Sequence, residues 1–165
     1  MGVDRPVAGP PAPAVGETAE PGQRLLARVA DTLIVGVPVV LLTHATLPQA
    51  TAEIVASVGL AGLLMLYESV QLARWGQTLG KRLAGVAVVP AGPQGPEDGP
   101  LGLGRAVLRS AVYALPIAAR PVPVLGAMAG VFWVANAALL FERPRRQALH
   151  DRVARTLVVR VRSGR

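Results

Sequence analysis

The stretch that decides the fold is TLIVGVPVVLLTHATLPQATA (residues 32–52), which has no charged residue in 21 positions. Two further stretches are of the same kind: residues 54–73 are interrupted only by Glu68, and residues 121–141 are uncharged throughout. A helix of about 20 apolar residues spans the hydrocarbon core of a bilayer. A chain of 165 residues cannot bury three such helices on all sides. The three stretches are therefore predicted to cross a membrane.

The composition favours the same class of protein. Hydrophobic residues make up 52% of the chain and charged residues only 16%, whereas about a quarter of the residues in soluble domains are charged. Cysteine is absent, which excludes disulfides, thiolate metal sites and a cysteine nucleophile. No carboxylate or histidine cluster has the spacing of metal ligands or of a catalytic group. We therefore expect no cofactor, no metal and no enzymatic activity.

The distribution of basic residues indicates the topology. Of the 17 Lys and Arg residues, all but Arg120 fall before the first apolar stretch, between the second stretch and Arg109, or after residue 141. Cytoplasmic segments of membrane proteins are enriched in Lys and Arg, so these three segments and both termini are predicted to be cytoplasmic, at a plasma (inner) membrane with anionic headgroups. No aromatic residues interleave with the basic ones, which argues against nucleic acid as a partner.

Residues 104–120 decide the number of crossings. Their apolar part is short, Arg109 lies within its first two turns, and Pro116 would kink a helix there. A fourth crossing would keep all three basic segments on one side, with Arg109 snorkelling toward the cytoplasm, although a re-entrant hairpin or an interfacial helix would also fit. We expect an all-α membrane protein: a bundle of about four transmembrane helices, three long and one short or re-entrant.

The remaining segments are expected to be small. Residues 85–89 and 156–162 have strand character and are predicted to pair as a two-stranded cytoplasmic ribbon. Residues 1–22 are rich in Pro and Gly and are predicted to be a disordered tail. The transmembrane domain is expected over residues 23–162, followed by a short tail at 163–165. No internal repeat of the kind that marks inverted-repeat transporters is evident.

Three ordered motifs resemble those of the RDD family of small membrane proteins. The most characteristic is GQTLGKRLAGVAVV (76–89); the others are RLLARVAD (24–31) and RQALHD (146–151) followed by TLVV (156–159). The Arg and the two Asp that name the family match Arg24, Asp31 and Asp151. The resemblance covers roughly residues 22–162, apart from an insertion-like loop at 90–100. It implies a multi-pass membrane protein of unsettled function, with cation–proton exchange suggested for some members.

The first of these motifs is a candidate loop site, made of Gly76, Gln77, Thr78, Gly80 and Lys81. It differs from a phosphate-binding P-loop, because three residues rather than four separate its glycines and Arg82 stands where a Ser or Thr would hold magnesium. We interpret it as a tight helix exit whose Lys-Arg pair meets anionic headgroups.

Two acids lie at a shallow depth in the predicted membrane region. Asp31 is just inside the boundary of the first stretch, and Glu68 is near the inner end of the second. An ionised carboxylate there costs on the order of several kcal/mol unless it is paired or hydrated. The two acids could form a cation or proton site. Alternatively, they could belong to an ion-pair cluster with Arg24, Arg28 or Lys81, since Arg24, Arg28 and Asp31 share one helix face.

Two more features are candidates for structural roles. Asp151 follows His150, but adjacent residues rarely point together, so we expect Asp151 to cap a helix or to bind the Arg24 face. Gly126 and Gly130 form a small-xxx-small pattern, which permits close helix packing within the bundle or across a dimer.

Two functions are compatible with these features. The first is a non-enzymatic membrane scaffold or accessory component, in which the Arg/Asp network is architectural and the partner is a second copy or another membrane protein. The second is a small oligomeric cation/proton transporter that uses Asp31 and Glu68. The scarcity of polar residues at mid-membrane depth favours the scaffold.

Overall fold

A computed structural model describes residues 17–97, 99–142 and 146–161, so most of the predicted N-terminal tail and all of the C-terminal one lie outside the described residues. Within them the elements follow in the order α1 (Pro21–Thr46), α2 (Gln49–Trp75), α3 (Leu79–Leu83), β1 (Val86–Pro90), α4 (Leu103–Ala118), α5 (Pro123–Ala138), α6 (Leu149–Val153) and β2 (Thr156–Arg160). A 3-10 turn, Leu139–Phe141, extends α5. The described chain is thus mostly helical, with one small sheet.

Among the described residues, three helices have the length and apolar composition needed to cross a membrane: α1, α2, and α5 together with its 3-10 turn. They coincide with the three apolar stretches of the sequence. Many of their large apolar side chains face outward; Leu41 is 66% exposed and Val134 is 72% exposed. So much exposed apolar surface is unfavourable in water and favourable against lipid chains. Pro38 within α1 is also tolerated in a membrane helix.

The fourth helix is short and packs on protein. α4 has 16 residues and is therefore about 24 Å long, less than the thickness of a hydrocarbon core. It packs most extensively against α2. Its buried residues include Arg109 and Ser110, so the polar part of this helix faces its neighbours. Pro116 lies in its last turn, so it does not interrupt the middle of the helix.

The predicted ribbon is present. β1 and β2 pair antiparallel, with Val88 opposite Val158. Thr18 bridges to Val159 on the other side of β2, and the amide of Ala19 donates to the carbonyl of Val158. Residues 17–19 therefore lie beside β2, and α1 begins at Pro21. The two ends of the described chain lie next to each other.

The fold contains an internal repeat whose two halves have the same orientation, which we call a same-direction repeat. Two longer helices, a five-residue helix and a five-residue strand occur in that order in residues 21–90 and again in residues 103–160. From α3 and α6 onward the two halves correspond at a constant offset of 70 residues, since α3 begins at Leu79 and α6 at Leu149. Gly85 and Arg155, which precede the two strands, both have left-handed backbone angles, with φ of 67° and 51°.

Side chains repeat at the same offset. The Gln77 amide donates to the carbonyl of Val86 at 2.9 Å, and the Gln147 amide donates to that of Thr156 at 2.8 Å. The sequences QTLGKRLAGVAVV (77–89) and QALHDRVARTLVV (147–159) are identical at six of 13 positions. The repeat is not of the inverted kind: α1 and α4 both begin, and α2 and α5 both end, on the side where the ribbon lies.

In the first half of the repeat, residues 21–90, a glycine allows two helices to pack closely. A Cβ added to Gly80 in α3 would collide with the carbonyl oxygen of Ala27 and would lie 2.8 Å from Cγ of Asp31. These approaches are too close for any side chain, so α3 can pack against α1 in this way only with glycine at this position. The equivalent residue of the second half is His150, so that half has room for an imidazole.

We expect Gly80→Ala to lower the melting temperature of the detergent-solubilised protein, with a loss of about 1–3 kcal/mol, because the added methyl group overpacks the contact between α3 and α1. Gly62→Ala is the matched control, since a Cβ at Gly62 meets nothing within 4 Å. Equal melting temperatures for the two variants would contradict this packing.

Candidate functional site

Within the described ranges of the chain, seven ionisable side chains meet at the helix ends that face the ribbon. Six are buried, and the seventh, Arg28, has only 15% of its side chain exposed. We call this group the charge cluster; it consists of Arg24, Arg28, Asp31, Glu68, Lys81, Arg109 and Asp151. Burial of so many ionised groups is tolerated only when they are paired and hydrogen-bonded.

Asp31 connects α1 to α2 and α3. Its Oδ1 accepts hydrogen bonds from the hydroxyl of Tyr67 at 2.7 Å and from the amide of Gly80 at 2.8 Å. Its Oδ2 accepts one from the hydroxyl of Thr78 at 2.5 Å and lies 3.6 Å from Nζ of Lys81. Only 1% of Asp31 is exposed, and its carboxylate is fully engaged.

Glu68 is surrounded by three cations. Its Oε2 lies 2.8 Å from Nη1 of Arg28, and its Oε1 lies 2.9 Å from Nζ of Lys81 and 3.0 Å from Nη1 of Arg109. The guanidinium of Arg28 also stacks over the ring of Tyr113, 3.7 Å from its centroid. Glu68 therefore links α2 to α1, α3 and α4.

Asp151 joins the C-terminal segment to the helices. Its Oδ1 accepts from Nε and Nη2 of Arg109 at 3.0 and 2.9 Å, and its Oδ2 lies 3.4 Å from Nη1 of Arg24. The same Oδ2 accepts from the amide of Ala148 at 3.3 Å, which caps α6. Asp151 therefore makes both the helix-capping contact and the contact with Arg24.

Arg24 makes the contact with Asp151 that was expected and not the alternative contact with Asp31. The shared helix face suggested pairing with Asp31, but Arg24 contacts Asp151 and donates to the carbonyls of Ala19, Arg146 and Val158 at 3.2, 2.6 and 3.0 Å. Seven residues separate Arg24 from Asp31, which is about 10 Å along a helix. That distance exceeds the reach of the i, i+3 and i, i+4 pairs that form on a helix surface.

Arg109 is the residue whose role the sequence did not reveal. It was expected to snorkel toward the aqueous boundary, yet it is only 2% exposed and bridges Glu68 and Asp151. The available signal was an arginine one turn further into the apolar part of the helix than Arg105, a position that indicates an internal partner. Nothing in the sequence indicated that Tyr67 would donate a hydrogen bond to Asp31.

The loop motif has a structural role at most of its positions. Gly76 ends α2 in a left-handed conformation, with φ of 64°, and the hydroxyl of Thr78 accepts from the amide of Lys81, which caps α3. Lys81 is 3% exposed, so it cannot meet headgroups as expected. Burial lowers its pKa, and the carboxylates of Glu68 and Asp31 oppose this effect. Arg82 is exposed and stacks on Trp75.

Gly126 and Gly130 have different surroundings. A Cβ on Gly126 would lie 2.8 Å from the carbonyl oxygen of Arg120, so glycine there allows the turn between α4 and α5. A Cβ on Gly130 would meet nothing within 4 Å among the described residues. The described chain therefore does not use this pair for close helix packing, and a role between copies of the chain stays a prediction.

Long apolar helices around a buried charge cluster define the class of this molecule, a small helical membrane protein. The chain belongs to the RDD family: the family model matches residues 18–155. No curated protein and no solved structure matches the chain. The three residues that resemble the family's Arg and two Asp, Arg24, Asp31 and Asp151, all lie in the charge cluster. Among the described residues, no group of three or more His, Asp or Glu side chains could hold a metal ion.

His150 is a neutral histidine beside the cluster. Its Nδ1 lies 3.1 Å from Oδ1 of Asn136, which also accepts from the amide of Leu149 at 2.9 Å. Burial lowers the pKa of His150 to about 3, and the positive charge of Arg109 acts in the same direction. Burial alone would raise the pKa of Asp151, but neighbouring His150, Arg109 and Arg24 lower it to about 2.

These values predict a loss of stability on mild acidification. The pKa of His150 is about 3 in the folded protein against an ordinary value of 6.5, so below pH 6.5 the unfolded state binds more protons and the free energy of unfolding falls. We expect a loss of about 2 kcal/mol between pH 6.5 and pH 5. The melting temperature in detergent should therefore fall over this range, and His150→Gln should flatten the profile.

His44→Gln is the matched control, because His44 is exposed at the far end of α1. It should keep the pH profile of the unmodified protein. The same slope in His150→Gln as in the unmodified protein would show that another group takes up the proton.

Proposed function

We propose that this protein is a non-enzymatic membrane scaffold, in which the charge cluster fixes the helices and holds the ribbon in a set position at the cytoplasmic face of the plasma (inner) membrane. The proposal rests on the contacts that the carboxylates of the three buried acids make. All six carboxylate oxygens of Asp31, Glu68 and Asp151 already have a cation or a hydrogen-bond donor within 3.6 Å. Such groups act as structural links rather than as open binding positions.

The same geometry weighs against a cation or proton pathway through Asp31 and Glu68. The ammonium of Lys81 lies between the two acids, 3.6 Å from Oδ2 of Asp31 and 2.9 Å from Oε1 of Glu68. A transported cation would need this position. Displacing a buried ammonium would leave it without its carboxylates, which is strongly unfavourable.

Ion flux in proteoliposomes separates the scaffold from the transporter. We expect the purified protein to conduct no Na⁺, K⁺ or H⁺ above the level of empty liposomes, and Asp31→Asn to leave that level unchanged while lowering the melting temperature. Glu53→Gln is the control, since Glu53 is exposed near the start of α2. Flux that is lost in Asp31→Asn and kept in Glu53→Gln would refute the scaffold.

Four crossings are the topology that we propose. The two ends of the described chain pair with each other through Thr18 and Val159, so they belong on one side of the membrane, and this requires an even number of crossings. The candidate spans in the described part of the chain number three, and α4 supplies the fourth as a short helix that is supported by α2. The repeat agrees, because two same-direction halves each enter and leave on the same side.

Reporter fusions test this topology. Fusions after Gln94 and after Arg165 should both be cytoplasmic, and a fusion inserted after Arg120 should be external. An external signal after Arg165 would favour three crossings, whereas a cytoplasmic signal after Arg120 would favour a re-entrant α4–α5 hairpin.

The proposed scaffold offers two kinds of contact surface. Arg82, Arg105 and Arg155 are exposed near the ribbon side and suit anionic headgroups. The outward face of α5 is apolar, with Val124 71% and Val131 70% exposed. This face suits lipid, a second copy of the chain, or the membrane partner that a scaffold would organise.

A further inference from the structure

The two halves of the repeat enclose between them a cavity that the scaffold does not require. It has a volume of about 230 Å³ and lies between α1, α4 and α5, with His150 in its wall. This is room for several water molecules, but it is below the usual 300–1,000 Å³ of sites that hold whole drug-sized ligands. The cavity therefore suits one small polar group.

The charges at this cavity are mostly positive. Four cations line its polar wall: Arg24, Arg28, Lys81 and Arg109. Asp151 lines it as well, whereas Asp31 and Glu68 do not contribute to the wall. In the described chain the cluster has four cations and three carboxylates, and it therefore carries one uncompensated positive charge. Because a buried unpaired charge is unfavourable, an anion in the cavity would stabilise the cluster.

Donors are available on two sides of the cavity. The indole N–H of Trp133 is buried without a partner among the described residues, and Asn136, three residues further along α5, uses only its carbonyl oxygen. On α1, Arg28 uses only Nη1 of its guanidinium for Glu68. Within the described residues, the other donors of Arg28 and the amide N–H groups of Asn136 have no acceptor. An oxyanion with several acceptor oxygens matches this arrangement.

The mouth of the cavity is apolar and lies at a helix boundary. Leu25, in the second turn of α1, is 63% exposed, and Leu140 lines the cavity just after the end of α5. In the topology proposed above, this is the depth of the phospholipid headgroups. A phosphate with an apolar substituent could therefore enter from the lipid, and a free phosphate could enter from the aqueous side.

We propose that this cavity is a binding site for a phosphate group, held by Arg28 from α1 and by Trp133 and Asn136 from α5, with Arg109 and Lys81 supplying positive charge. The phosphate belongs to a lipid headgroup or to a free phosphate. Only the first source depends on the proposed topology.

The chain allows a direct optical test, because it contains only two tryptophans. In full-length Trp75→Phe in a neutral detergent, all tryptophan emission comes from Trp133 in the cavity wall. The emission is titrated with sodium phosphate against sodium chloride of equal ionic strength. It is then titrated with micelles that contain phosphatidylglycerol against micelles that contain diacylglycerol. We expect a saturable change with phosphate or with phosphatidylglycerol, and none with the two controls.

Two matched pairs of variants locate the site, with binding measured as the ligand-induced rise in melting temperature. Trp133→Phe removes the indole donor and should weaken binding about tenfold, as expected for the loss of one hydrogen bond to a charged group, whereas Trp75→Phe should bind normally. Ala137→Phe puts a bulky side chain at the exposed rim of the cavity and should abolish binding. Val134→Phe, at an exposed position of the same helix outside the cavity, should not.

The binding measurements distinguish a site for free phosphate, a site for a lipid headgroup, and the absence of a phosphate site. Binding of sodium phosphate identifies a free phosphate as sufficient, and binding of phosphatidylglycerol alone identifies a lipid headgroup. Absence of a saturable response to both probes overturns the proposal, and so does unchanged binding in Ala137→Phe, which decides the question if Trp133→Phe does not fold. Ion flux is not part of this test, so its outcome is independent of the scaffold.

Discussion

Arg109 places one guanidinium between two carboxylates from different halves of the chain, Glu68 of α2 and Asp151 of α6. A second contact between the halves, from Arg24 to Asp151, lies beside it. The remaining contacts of the cluster extend from these, since Glu68 also holds Arg28 and Lys81. The packing of α2 on α4 and the docking of the C-terminal segment therefore depend on the same buried group. In a low-dielectric environment such a group is tolerated only with its partners in place.

The same-direction repeat explains why the charges are distributed in this way. Lys81 and Asp151 occupy equivalent positions in the two short helices and carry opposite charges. Lys81 pairs with the carboxylate of α2, and Asp151 pairs with the guanidinium of α4. The halves are thus similar in backbone and complementary in charge, which favours one specific way of docking. Gly80 allows α3 to pack closely against α1, whereas its counterpart His150 lines the cavity between α1, α4 and α5.

The sequence was sufficient to predict the three long apolar helices and the ribbon, because both depend on local patterns of apolar residues. The pairing within the cluster was not predictable in the same way. Which cation meets which acid depends on how helices are rotated about their axes and on how closely α3 approaches α1, so the partners of Asp31 and Glu68 stayed open among Arg24, Arg28 and Lys81. Arg109 was misread because its partners lie 41 and 42 residues away. The repeat was hidden because its long helices differ in length, 27 residues in α2 against 16 in α5.

A double-mutant cycle measures whether the contact between Glu68 and Arg109 couples the two halves of the chain. Unfolding free energies in detergent are measured for the unmodified protein, Glu68→Gln, Arg109→Gln and the double variant. Each single change should cost about 3–5 kcal/mol, because it leaves an opposite charge buried without its partner. The double variant should lose at least about 2 kcal/mol less than the two single losses combined. Single losses that add to within about 0.5 kcal/mol would contradict the account, since the two side chains would then stabilise the protein independently.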